Sequence, residues 1–122
     1  MITEEINERL GLNLTDAFCG FKAHRVSAID RLDLSETGYA FPMQLWAQSA
    51  RAGLRIVEIP VRLIYNDPTR SFGGPLDDPS ERLSHYRVAL EQAIAHAGIE
   101  GCQNRSKPKV AIGRACGEWA GA

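Results

Sequence analysis

The chain has 122 residues, of which 44% are hydrophobic and 24% are charged, and its formal net charge is −1. This length allows one small domain with a single core but is short for a complete nucleotide-dependent enzyme. The near-neutral charge gives no electrostatic reason to expect nucleic acid or an anionic membrane as a partner of the whole molecule.

Targeting and cysteine patterns point to a reducing compartment. No apolar run approaches the roughly 18 to 20 residues that a bilayer span needs, and residues 1–10 are too polar for a secretory signal. The three cysteines are an odd number without metal-ligand spacing, which favours free thiols over a zinc site. We therefore expect a cytoplasmic protein without a transmembrane segment.

Helical and extended patterns alternate in the first half of the chain. Apolar spacing predicts a short helix begun by Thr3 and stopped by Gly11, and a better helix that starts near Phe41 and stops at Gly53. Between these two helices the pattern predicts a short extended stretch over 12–21 and a further helix over 24–33.

The period changes to two after Gly53. The stretch 55–65 predicts a strand, and Pro60 places it at a sheet edge or a bulge because proline has no amide to donate. Glu58 would lie on the polar face and pair with Arg55 or Arg62. The predicted buried face comprises Val57, Ile59, Val61, Leu63 and Tyr65.

The last periodic segment reads as a capped helix. Asp78 suits the cap, Pro79 the first helical position and Glu81 the third residue of a capping box, and Gly98 ends the helix. Its apolar stripe comprises Leu83, Tyr86, Leu90, Ile94 and Ala97. Residues 99–122 show no sustained period, and we expect a disordered tail there.

The loop "DPTRSFGG" raises a chemical possibility. The Arg70 guanidinium is able to bind a diphosphate through two parallel hydrogen bonds, and Ser71 and the amide of Gly73 offer further donors. The alternative is a surface turn in which Arg70 pairs with nearby carboxylates, for modest energy. Those carboxylates are Asp67, Asp77 and Asp78.

Two strands among helices favour an α/β fold, but two strands make a small sheet. The blocks "LTDAFCGFKAHR", "GYAFPMQLWAQSARAGLRIVEIPVRLIY" and "RSFGGPLDDPSERLSHYRVAL" occur in an order that resembles the C-terminal part of family 2 glycosyltransferases. The nearest branch resembles the dolichyl- and polyprenyl-phosphate sugar synthases. Any one block is weak alone, whereas the ordered set is fairly specific.

The resemblance implies a GT-A (nucleotide-diphospho-sugar transferase) fold, of which residues 1–98 would be an incomplete C-terminal portion. It implies transfer of a sugar from a nucleotide sugar to a lipid phosphate with Mg²⁺ or Mn²⁺, at the inner face of a membrane. Family members carry the nucleotide-binding half and a metal-binding D-x-D upstream, and neither occurs in this sequence. We therefore expect the chain to be inactive alone and to need a missing N-terminal half.

The resemblance also assigns residues. Arg70 to Gly73 reproduces the family's R-x-x-G spacing, which favours diphosphate binding. Asp16 occupies the acid position before the Gly-Phe pair and would orient hydroxyls of the acceptor or donor, or act only as a turn residue. Lys22 and Arg25 would face an acceptor phosphate, or be solvated.

The helix that begins "FPMQL" has the neutral Gln44 where many inverting family members place an acidic base. A phosphate acceptor is already ionised near neutral pH and needs no base, so this absence agrees with a phosphate acceptor. A second hypothesis is a non-catalytic interaction module that dimerises or docks through apolar surface.

Overall fold

The structure is a computed structural model that describes residues 2–62, 64, 67–69 and 73–99, together with the backbone of 111–112. The described residues are mostly helical. In chain order the elements are α1 (Ile2–Leu10), α2 (Val26–Ile29), α3 (Phe41–Ala52), β1 (Val57–Glu58), a 3-10 turn (Gly74–Asp77), α4 (Pro79–Ala97) and β2 (Ala111–Ile112).

The predicted ends of the two longer helices are confirmed. Gly53 ends α3 and Gly98 ends α4, each with a φ of 67° that side chains with a Cβ rarely adopt. At the start of α4, Asp78 accepts hydrogen bonds from the amide of Ser80 at 2.8 Å and from its hydroxyl at 2.7 Å. Pro79 occupies the first turn, where its missing amide costs nothing.

The core lies where α1, α3 and α4 meet. Seven consecutive residues of α3, Met43 to Ser49, are buried, so this helix is enclosed on nearly all sides. The predicted stripe of α4 faces it, with Leu83 half-buried and the rest buried. The largest fully buried side chains are Ile6, Met43, Leu45 and Leu90.

Three predictions about the first forty residues are wrong. Thr3 lies inside α1 and is buried, so it does not cap the helix. The stretch 12–21 contains no strand, and the helix predicted over 24–33 is reduced to the four residues of α2. Val26 is 83% exposed, so this helix lacks the packing of an apolar face that stabilises short helices.

The strand prediction is correct in place and wrong in length and face. β1 has two residues and pairs in parallel with β2, Val57 opposite Ala111. Ile56 packs against the core, whereas Val61 and Ile64 are 59% and 67% exposed. The described odd-numbered residues therefore form no buried face. Beyond Pro60, which cannot extend the hydrogen-bonded ladder, the described residues of the segment are exposed on both faces.

Two predictions fall on residues that the structure does not describe. Leu63 and Tyr65 of the predicted strand face lie outside the described residues. The prediction of a disordered tail over 99–122 also lies largely outside them. Within that range the structure describes Ile99, which packs against the core, and the backbone of β2.

Ion pairs tie α1 to α4 at two levels. Arg87 donates to Glu5, with 3.0 Å between Nε and Oε2, and Arg9 donates to Glu91. The hydrogen bond from Arg87 lowers the pKa of the Glu5 carboxyl, and that from Arg9 lowers the pKa of the Glu91 carboxyl. Both pairs are substantially exposed, so each stabilises the fold only modestly.

These lowered pKa values predict an acid dependence of stability. A carboxyl whose pKa is lower in the folded state stabilises the protein above its unfolded pKa of about 4.3, and this contribution is lost as pH falls through the folded value. Urea unfolding at a series of pH values should show a shallower acid loss for the double variant Glu5→Gln, Glu91→Gln. Glu8→Gln, exposed on α1, is the matched control. An acid slope equal in the double variant and the wild type would contradict the prediction.

Candidate functional site

Asp16 lies at the centre of an exposed turn between α1 and α2, which we call the Asp16 turn (residues 15–18). Its Oδ1 accepts the amide hydrogen of Phe18 at 2.8 Å. This contact matches the turn role considered from the sequence. Because Asp16 is exposed, its carboxylate also remains accessible to a ligand.

Glu58 approaches the Asp16 turn from β1. Its Oε1 and Oε2 lie 2.9 Å and 3.1 Å from the amide nitrogen of Thr15, and Oε1 lies 3.5 Å from that of Asp16. The sequence predicted that Glu58 pairs with Arg55 or Arg62, and the described structure instead directs its carboxylate to the backbone of the turn. No sequence spacing signals this contact, because it joins residues 43 positions apart.

Trp46 of α3 holds the same turn through a hydrogen bond to its backbone. Its indole Nε1 donates to the carbonyl oxygen of Ala17 at 2.9 Å, and the side chain is 7% exposed. A hydrogen bond of this kind contributes about 1 kcal/mol net, and more when its loss would leave a buried group unpaired. Trp46 is therefore a core residue.

Lys22 folds back onto the chain that follows the turn. Its Nζ donates to the carbonyl oxygen of Cys19 and lies 5.6 Å from the centroid of the Trp46 ring. The ammonium group thus has a carbonyl partner and an aromatic face to stabilise it. Binding an acceptor phosphate would require Lys22 to share or leave these partners.

The arginine loop is described only at its ends, and Arg70 and Ser71 lie outside the described residues. Before the gap, Asp67 accepts the amide and hydroxyl hydrogens of Thr69, at 2.9 Å and 2.6 Å. After the gap, the amide of Gly73 donates to Asp77 at 3.0 Å. A phosphate would have to compete with Asp77 for that amide.

The predicted site residues lie on two segments of the described structure. Asp16 and Lys22 lie six positions apart on the loop between α1 and α2, with separate hydrogen-bond partners, whereas Gly73 lies on the segment that leads into α4. The aromatic ring of Phe18, 4.6 Å from that of Tyr86, packs the Asp16 turn against α4. Burial raises the pKa of the Tyr86 hydroxyl, so this phenol stays neutral at physiological pH.

A small cleft between α3 and α4 was not anticipated. It measures about 140 Å³, and on one side of it Nε2 of His96 lies 2.7 Å from Oδ2 of Asp33. Gln44 is buried at the cleft, and its Oε1 accepts the amide hydrogens of Ser35 and Glu36 at 2.8 Å and 2.9 Å. No sequence spacing signals the contact between His96 and Asp33, because it joins residues 63 positions apart.

Two further features were sought in the described part of the chain: clusters of metal-binding side chains and membrane-spanning helices. No group of three His, Cys, Asp or Glu side chains among the described residues is arranged to hold a metal ion. None of the described helices combines the length and the apolar character that crossing a bilayer requires.

Comparison with known proteins places these features in context. The chain matches no protein-family model and no solved structure. It is 40% identical over 85 residues to an undecaprenyl-phosphate mannosyltransferase of Micrococcus luteus. The aligned stretch covers 66% of the chain and 35% of the relative. The chain thus spans about a third of that relative's length. Its relationship to the polyprenyl-phosphate sugar transferases, expected from the ordered sequence blocks, is confirmed over this matched stretch.

Proposed function

We propose that this chain is part of a family 2 glycosyltransferase that transfers a sugar from a nucleotide sugar to a polyprenyl phosphate. The observation that carries the proposal is the 40% identity over 85 residues to a protein named for that acceptor class. Because the match covers 35% of the relative, we further propose that catalysis needs a donor-binding half from outside these residues. The lipid acceptor favours a peripheral position at the membrane.

The local chemistry supports a phosphate acceptor. Gln44 occupies the helix position where an acidic base would be expected, and it is buried with its oxygen bound to two backbone amides. A neutral amide side chain held in this way cannot act as a general base when the acceptor attacks the sugar. A phosphate acceptor is already ionised and needs no general base. Asp16 would then orient hydroxyls of the sugar, a role that needs an exposed carboxylate and no proton transfer.

Arg70 would stabilise the leaving diphosphate. Negative charge grows on that group as the sugar departs, and a guanidinium binds it through paired charge-assisted hydrogen bonds. At the described ends of this loop, Asp67 closes a turn on Thr69 and Asp77 closes a turn on Gly73.

An exposed apolar row supports a larger GT-A domain. Val57, Ile59, Val61 and Ile64, which we call the apolar row, are 38% to 67% exposed along one extended segment. Such a row next to a two-residue parallel pair is typical of a sheet that continues into further structure. We propose that the donor-binding half covers the apolar row.

The same row supports a second candidate, in which the chain dimerises as a non-catalytic module. Sedimentation velocity at increasing protein concentration separates the candidates. Self-association predicts a dimer that the double variant Val57→Ser, Val61→Ser loses. A monomer at all concentrations would contradict dimerisation and leave the row to the missing half.

The proposed diphosphate site predicts binding that depends on Arg70. Isothermal titration of the chain with GDP and UDP, with and without Mn²⁺, should show weak, about millimolar affinity, because the rest of the donor site lies in the other half. Arg70→Ala should weaken this binding at least about tenfold, as expected for a lost charge-assisted pair. Arg62→Ala, an exposed arginine near the same loop, is the control and should bind as the wild type. Equal affinity of Arg70→Ala and wild type would contradict the assignment. Absence of binding at millimolar nucleotide would show that the chain alone holds no donor site.

A further inference from the structure

Four consecutive residues of the Asp16 turn have a backbone group bound by a side chain. The amides of Thr15 and Asp16 face Glu58, the carbonyl of Ala17 accepts from Trp46, and the amide of Phe18 donates to Asp16 itself. Two of these side chains come from distant elements, β1 and α3. An exposed loop with this many fixed backbone groups has little freedom left.

We propose that Glu58 is a positioning residue for Asp16, and this inference rests on the proposed transferase function. Glu58 holds the backbone immediately before and at Asp16, while Trp46 holds the residue immediately after it. The direction in which the Asp16 carboxylate leaves the chain is therefore set by β1 and α3 together. The ligand it serves is the hydroxyl-bearing sugar of a nucleotide sugar.

The chemistry of Glu58 suits this task. A carboxylate that accepts amide hydrogens forms stronger bonds than a neutral oxygen, and both of its oxygens take part here. The backbone of Glu58 is held by the β1–β2 pair, in which Glu58 lies opposite Ile112. A site side chain needs such support, because a displacement of about 1 Å weakens a polar contact severely.

With the turn fixed, the carboxylate of Asp16 can still accept further hydrogen bonds from the solvent side. Oδ1 is used in closing the turn on Phe18, and the carboxylate is exposed. A sugar hydroxyl would donate to the carboxylate in the same way as an amide does. If Glu58 were absent, the amides of Thr15 and Asp16 would turn to water, and the carboxylate would sample several directions.

The variants isolate this role. Glu58→Ala removes both acceptor oxygens, and Glu58→Gln keeps one acceptor oxygen without the charge. Asp16→Ala removes the carboxylate that is held in place. Arg62→Ala, exposed on the same segment beyond Pro60, is the matched control. Thermal unfolding of each variant confirms that differences in binding are measured on folded protein.

The first readout is geometric and uses the whole 122-residue chain. We expect ¹⁵N-resolved amide signals of Thr15 and Asp16 to shift strongly in Glu58→Ala, less in Glu58→Gln and not in Arg62→Ala. Unmoved signals in Glu58→Ala would overturn the inference whatever the protein's function is.

The second readout compares titrations with GDP-mannose and GDP, because the difference between them reports contacts to the sugar. Glu58→Ala should lower the affinity for GDP-mannose about tenfold and leave that for GDP unchanged, with Glu58→Gln retaining most of the difference. Equal loss for both probes would indicate general damage and overturn the inference. So would an intact preference for GDP-mannose in Glu58→Ala if Asp16→Ala abolishes that preference.

The wild type separates failure of this inference from failure of the proposed function. If the wild type binds GDP-mannose more tightly than GDP, the variants decide the role of Glu58 alone. If the wild type binds neither probe, the proposed sugar site is absent from this chain, and the inference is overturned together with it.

Discussion

The burial of α3 is the constraint on which the rest of the structure depends. Because Met43 to Ser49 are all buried, polar side chains on this helix need partners inside the protein, although Nε2 of Gln48 has none among the described residues. Gln44 binds backbone amides of the preceding loop, and Trp46 binds the carbonyl of Ala17. One enclosed helix therefore fixes two loops that precede it in the chain.

This arrangement explains how so short a region can hold a defined turn. The loop that follows α1 contains no helix or strand, and side chains of α1, α3 and β1 hold its backbone. Asn7 of α1 binds both the amide and the carbonyl of Leu14, at 2.8 Å and 2.9 Å, and Trp46 and Glu58 bind the residues that follow. Ion pairs between α1 and α4 close the packing from the opposite side at modest energy. The Asp16 turn is thus a product of tertiary contacts, which is the usual condition for a binding site on a loop.

Local rules predicted the ends of α3 and α4 well and the extended segment poorly. The ends of α3 and α4 follow from Gly53 and Gly98, and the start of α4 follows from Asp78 and Pro79, because caps act over three or four residues. The alternation after Gly53 correctly indicated an extended chain. It could not indicate which face is buried, because that depends on what packs against the strand.

In the candidate site, too, local sequence features were predictable and tertiary contacts were not. Asp16 was found from its motif, but its partners Glu58 and Trp46 could not be, since they lie 42 and 30 positions away in sequence and are joined to the turn only by the fold. The exposure of the apolar residues after Gly53 has the same cause. Val57, Ile59 and Val61, which period two assigned to a buried face, are exposed, because burial depends on what packs against the segment and not on its period.

The central claim is that this chain is one part of a sugar transferase acting on a polyprenyl phosphate. The most direct measurement joins it to a nucleotide-binding half of the same family and follows labelled sugar from GDP-mannose, or another common nucleotide sugar, into undecaprenyl phosphate. The account predicts transfer to the lipid by the joined protein and none by either part alone. A folded joined protein that binds nucleotide sugars yet transfers nothing to the lipid would contradict it.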